Sequence, residues 1–211
     1  GLLLEAGATT LRTVATDGHR LAVCSSTGNH ICDNNQQVIV PRKGVAELAR
    51  MLDSSDAPIQ VDIGQNHIRL VTDALCFTSK LVDGRLPDYQ RVLPQRTTSK
   101  LMAERTVLIQ ALVRVSILSN EKYRGIRFQA EENMLKIRAN NPDQEESYEE
   151  IDVMYEGEPM EIGFNANYLL DALNAVQTEQ VQIGLTDPNS CCLIEGIGDE
   201  KSQYVVMPMR L

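Results

Sequence analysis

The chain of 211 residues has no Trp, three Phe and six Tyr. With 43% hydrophobic residues it can still bury sizeable cores, and those cores must be mostly aliphatic. Cysteine is present but poorly arranged for cross-linking. Cys24, Cys32, Cys76, Cys191 and Cys192 are odd in number, form no CxxC spacing and include one adjacent pair. That is poor material for a disulfide framework or a zinc site. The five are expected to act as small hydrophobes in a reducing cytoplasm. No run of eighteen apolar residues occurs, so no segment reads as a membrane-spanning helix. GLLLEAG at the start lacks the basic flank and the length of a signal peptide.

Positive charge is also scarce, and unevenly so. The net charge is −9. Residues 1–93 are nearly balanced at −1, whereas residues 94–211 carry −8 and have no Lys or Arg between Ala139 and Glu200. This balance argues against a protein that wraps nucleic acid tightly, and any DNA contact has to be local or loose.

What the chain does contain is a repeat of itself. GLLLEAGATTLRTVATD (1–17) aligns with GIRFQAEENMLKIRANN (125–141) at an offset of 124, each reading as strand, polar turn and strand. VIVPRKGVAELARML (38–52) aligns at the same offset within the segment from Glu161 to Val176, Val40 falling on Phe164, each a short strand entering a helix. QVDIG (60–64) matches QVQIG (180–184) at an offset of 120, each followed by a further strand. Val45, Leu48 and Leu52 form one apolar helical stripe, and Leu169, Leu173 and Val176 form the other. Pro41 suits the first turn of the first helix, and Asn165 or Asn167 suits the cap of the second. The fold class is therefore α+β, two copies of one unit joined near LPDYQRVLPQRTTSK (86–100). The second copy has an extra helix, TVLIQALVRVSILSN (106–120), with Leu108, Leu112 and Val115 on one face. By the repeat, roughly 25 residues are expected before Gly1, so the chain reads as starting inside its first unit, with a bare sheet edge and part of a core uncovered.

TDGHRL (16–21) is the densest cluster of reactive side chains. An Asp-x-His pair can orient a general base. Thr16 and Ser25 are nearby, but neither lies in a nucleophile-elbow pattern, and His19, His30 and His67 show no zinc-ligand spacing. The plainer reading is a turn at Asp17-Gly18 with a solvated Arg20.

TVATDGHRLAV, VIVPRKGV, FTSKLVDGRLPDYQRVLP, LSNEKYRG, ANNPDQEE and YVVMPMRL together resemble the bacterial sliding clamps, the beta subunits of DNA polymerase III, from Gly1 to Leu211. The resemblance implies repeated clamp domains with antiparallel sheets outside and helices on the inner face. Residues 1–92 would be a middle domain cut at its start, and 93–211 the third domain. It implies a processivity factor, not an enzyme, with no cofactor. Two full-length chains would close a cytoplasmic ring around duplex DNA, bound without regard to sequence.

The resemblance also implies a groove between the two domains that receives short peptide motifs of polymerase subunits, the clamp loader and repair proteins. Its wall would be Thr16, Gly18, His19, Arg20 and Leu21, with Pro87, Arg91 and Val92 opposite. The third domain would add Asn165, Tyr168, Val205, Met207, Pro208, Met209 and Arg210. Flexible Met suits a surface that accepts many guests, and Pro208 between two Met fits an irregular terminus better than a central strand. Cys191 stands where the family commonly has a small hydroxyl residue.

In such a ring, Arg42, Lys43 and Arg50 on the first helix and Arg114 on the 106–118 helix are the candidates for phosphate contact. The 166–176 helix has no basic residue. Ile117 and Leu118, with the acidic run Asp143, Glu145, Glu146, Glu149 and Glu150, match the place where rings close onto a neighbour's first domain. The resemblance places that domain outside these 211 residues, so the chain is not expected to close a ring. Two other readings compete: an acidic interaction module unrelated to DNA, and a hydrolase using Asp17 and His19.

Overall fold

The structure, a computed structural model, describes residues 1–28, 35–52 and 57–210; His30, Cys32 and Leu211 lie outside these. The chain divides into two compact units. The first holds Gly1–Ala15 and Val23–Asp88, and the second holds Thr16–Ala22 and Tyr89–Leu211. The tip of one hairpin therefore belongs with the second unit.

In the first unit, β1 (Leu2–Ala6), β2 (Thr10–Thr16), β3 (Arg20–Thr27) and β4 (Gln36–Val40) lie in the order β3-β2-β1-β4. β1 pairs antiparallel with both β2 and β4, Leu3 facing Val14 on one side and Ile39 on the other. Helix α1 (Arg42–Met51) follows, then β5 (Gln60–Ile63), β6 (His67–Val71) and β7 (Cys76–Lys80) as an antiparallel sheet in sequence order. Pro41 sits at the N-cap of α1, one place before the first turn, with extended dihedrals (φ −62°, ψ 147°). Val45 and Leu48 pack half-buried against Val40, Ile68 and Leu70, yet α1 has no fully buried residue. Leu52 falls just past the helix end.

The second unit repeats this plan and extends it. β8 (Ser99–Glu104) leads into α2 (Arg105–Ser116), followed by β9 (Gly125–Glu131), β10 (Met134–Asn140), β11 (Glu146–Asp152), β12 (Met154–Glu156) and β13 (Met160–Asn165). Helix α3 (Ala166–Ala175), β14 (Gln180–Leu185), β15 (Cys192–Gly196) and β16 (Ser202–Val206) complete it. The order β11-β10-β9-β13 reproduces β3-β2-β1-β4 strand for strand, and β14-β15-β16 reproduces β5-β6-β7, as the sequence offsets require. The additions are α2 and two strands, β12 and β8, on the free side of β14.

One aliphatic core fills the second unit. α2 contributes Leu108, Ala111, Leu112 and Val115, and α3 contributes Ala166, Leu169, Ala172 and Leu173, all at the three-and-four spacing of a single helical face. Phe128 and Phe164 meet edge to face with centroids 5.6 Å apart. α2 stops at Ser116, short of the expected 118 or 120. The reason is local: the Ser119 N–H and hydroxyl both donate to the Ser116 carbonyl, at 3.1 and 2.6 Å, and close the last turn. The cap of α3 is Asn165, whose carbonyl oxygen accepts from the Asn167 and Tyr168 N–H groups.

Candidate functional site

The β2–β3 turn is held almost entirely by its own side chains. The Asp17 carboxylate accepts from the His19 N–H at 3.0 Å, the Arg20 N–H at 3.1 Å and the Arg20 Nε at 3.1 Å. The Thr16 hydroxyl donates to the Arg20 carbonyl at 2.7 Å and accepts from the Gly18 N–H at 3.1 Å. Gly18 has φ +88°, a conformation open to glycine and costly for other residues, and nothing lies within 4 Å of where a Cβ would sit. Partial burial opposes the Asp17 charge. The hydrogen bonds from His19 and Arg20 outweigh that and hold its carboxyl below the usual 3.8. Because the His19 backbone, and not its ring, meets this carboxylate, the Asp–His orientation that general-base chemistry needs is not formed.

The turn is fastened to α3. The Arg20 guanidinium pairs with Asp171 as well as Asp17, and its Cζ lies 4.5 Å from the centre of the Tyr168 ring. The His19 ring stacks on the same tyrosine, centroids 6.1 Å apart at 20°. Arg20 is thus engaged by two carboxylates and a ring, not merely solvated. Burial works against its charge, but the two carboxylates more than compensate and raise its pKa above the usual value. Leu21 and Val205 are buried beneath this surface at 4% and 1% exposure.

The C-terminal residues run along the same side of the second unit. The Met207 N–H donates to the His19 carbonyl and the Met209 N–H to the Gly163 carbonyl, both at 2.9 Å. Met207 is exposed, Pro208 and Met209 are half-buried and Arg210 is exposed. Arg91 ends a short 3-10 turn, Tyr89–Arg91, and the exposed Val92 follows. The Cys191 thiol lies 3.6 Å from the Val92 carbonyl. Burial raises the pKa of Cys191 and pushes that of Cys192 to about 12, so both thiols stay protonated at neutral pH. The Asn165 amide caps α3 and donates to the Tyr123 carbonyl at 3.0 Å, so it orders the scaffold beside Tyr168. Pro87 lies in the first unit and is exposed.

Two residues here escaped sequence reasoning. Asp171 is one helical turn beyond Tyr168, and that spacing was its only signal. Tyr123, 53% exposed and with its carbonyl accepting from Asn165, lies in the LSNEKYRG motif, but its spacing gave no sign of this contact.

The remaining candidates lie elsewhere. Arg42 and Lys43 open α1, exposed and with no acidic residue in its first turn. Arg50, in the last turn, pairs with Glu47. Arg114 is engaged by Glu149 on β11, its Nε 3.0 Å from both carboxylate oxygens. β11 is an edge strand beside α2, tied to it also by the Ser147 hydroxyl on the Val115 carbonyl at 2.7 Å. Ile117, 70% exposed, and half-buried Leu118 follow α2. Of the acidic run, Glu145 bonds Asn141, Glu150 accepts from the Tyr148 hydroxyl, and Glu146 begins the strand. Among the described residues no group of three or more His, Cys, Asp or Glu is placed to hold a metal ion, and no helix is long and apolar enough to cross a membrane.

The family model for the C-terminal domain of the DNA polymerase III beta subunit matches residues 90–210, and the one for its central domain matches residues 1–88. The chain belongs to the DNA polymerase III beta subunit family. Along its whole length it is 54% identical to the beta sliding clamp of Pseudomonas putida and 55% identical to that of Escherichia coli K12. It spans 58% and 57% of those relatives. The crystal structure of the Pseudomonas aeruginosa sliding clamp bound to griselimycin superposes with a TM-score of 0.97 at 53% identity, covering all of this chain and 57% of that one. Family membership and the α+β fold thus agree with the resemblance carried by the motifs.

Proposed function

We propose that this chain is the peptide-binding part of a sliding clamp, a cytoplasmic, non-enzymatic processivity factor of DNA replication. In this reading, residues 1–92 act as a middle clamp domain and 93–211 as the third. The guest is a short peptide motif of a polymerase subunit, the clamp loader or a repair protein. Tyr168, backed by His19 and Arg20 on one side of the fold and followed by the exposed Met207, is the observation that carries the reading. Aromatic rings and Met give an apolar, adaptable surface, and the exposed Arg91 and Arg210 offer hydrogen-bond donors to guest carbonyls. Thr16, Gly18 and Leu21 shape the tip, and Val92, Pro208 and Met209 complete the apolar lining, whereas Val205, 1% exposed, is too buried to touch a guest.

In the full-length protein, two chains close a ring around duplex DNA. Arg42 and Lys43 meet phosphates, and Arg50 and Arg114 contribute once they exchange their carboxylate partners. Ile117, Leu118, Glu145, Glu146, Glu149 and Glu150 form the closing face. The sparse basic charge supports a loose, sliding contact in which topology, and not affinity, retains the DNA. The test is clamp-dependent DNA synthesis by full-length protein. With Arg42 and Lys43 both replaced by Glu, loading or product length is expected to fall at least several-fold, with peptide binding unchanged. Unaltered synthesis would remove α1 from the DNA-facing surface and favour an acidic interaction module.

A further inference from the structure

Asp171 is absent from the groove residues that the family resemblance implies, yet it holds one of them. It lies on α3, one turn beyond Tyr168, and its carboxylate meets the Arg20 Nη1. Arg20 in turn holds Asp17 through Nε and covers the Tyr168 ring. The chain Asp17–Arg20–Asp171 is therefore a side-chain ion-pair link between the hairpin tip and α3, added to backbone hydrogen bonds that include the Met207 N–H on the His19 carbonyl. The Arg20 side chain is 36% exposed and that of Asp171 63%, so the pair is reachable by solvent and salt. An interaction of that exposure is too weak to decide whether the unit folds, and strong enough to decide how long the tip stays docked.

We infer that Asp171 is a positioning residue for the peptide site: through Arg20 it latches the Thr16–Leu21 tip against α3, so that His19 and Arg20 face Tyr168 before a guest arrives. This rests on the peptide-groove reading. Pre-docking matters because a guest that must first order the tip loses that cost from its affinity. It also means that Arg20, flanked by two carboxylates, serves the groove as a wall and not as an open acceptor of acidic guest groups.

The test uses the full chain and the variants Asp171→Asn and Asp171→Glu. Hydrogen exchange at the Gly18, His19 and Arg20 amides reads the latch without any guest. Fluorescence polarisation with a labelled peptide from a polymerase C-terminal tail reads its consequence. In Asp171→Asn, exchange at the tip is expected to quicken by about 2- to 5-fold with the α3 amides unchanged, and peptide affinity to fall by about 2- to 5-fold. Asp171→Glu restores both, and raising the salt concentration moves the parent protein towards the Asn variant while leaving that variant unmoved. Unchanged tip exchange in Asp171→Asn overturns the latch, even if peptide binding weakens. If the parent chain binds no peptide, the groove reading fails on its own, and the exchange measurement still decides whether Asp171 docks the tip.

Discussion

Asp17 organises its turn with one carboxylate that accepts two backbone N–H groups and one guanidinium N–H. Its folded pKa lies below the ordinary carboxylate value of 3.8. A carboxyl depressed in this way stabilises its fold fully above the unfolded value, and that contribution is lost as pH falls through the folded one. Amide signals of Gly18, His19 and Arg20 in an NMR titration are therefore expected to hold steady from neutral pH down to that ordinary value and to lose their tip-specific shifts only as pH falls below it. Tyr168 is the anchor of the proposed groove. Tyr168→Ala is expected to weaken a bound peptide by about 2 kcal/mol, near 30-fold, while leaving the apolar core of α3 intact. Polarisation with the labelled peptide measures it, and a change under threefold would displace Tyr168 from the site.

At the scale of elements, the α3 cap couples stability to the site. Asn165 accepts the Asn167 and Tyr168 N–H groups in the first turn of the helix that carries Tyr168 and Asp171. Asn165→Ala is expected to cost about 1 kcal/mol in urea unfolding, whereas Leu108→Ala in α2, at a fully buried position, is expected to cost about 2–5 kcal/mol. The contrast explains what the sequence made legible. Leu108, Leu112, Val115, Leu169 and Leu173 announce their helices because burial enforces periodicity, and the strand-for-strand correspondence of the two copies follows from a repeat visible by eye, whereas the order of strands within each sheet does not. The ends of α2 and the fastening of Arg20 to Asp171 were not legible. Each depends on one side chain reaching a partner set by tertiary folding, Ser119 on Ser116 in the first case and a residue 151 positions away in the second.

Over the whole molecule, the two copies of the plan are unequally filled. The second unit buries four residues from each of two helices, and the first buries none from α1. Local opening takes the least-packed elements first, so backbone amides of α1 and β5 are expected to exchange well before those of α2, α3 and β14, by hydrogen-exchange mass spectrometry. The central claim, that the surface around His19, Arg20, Tyr168 and Met207 receives a peptide, is tested most directly by one comparison. A labelled polymerase-tail peptide is titrated, by fluorescence polarisation, with the 211-residue chain and with the chain lacking residues 207–211. A peptide site here predicts saturable binding by the first and its loss in the second, because the Met207 side chain and the Met207 N–H that bonds the His19 carbonyl leave together. Equal binding by both would contradict it.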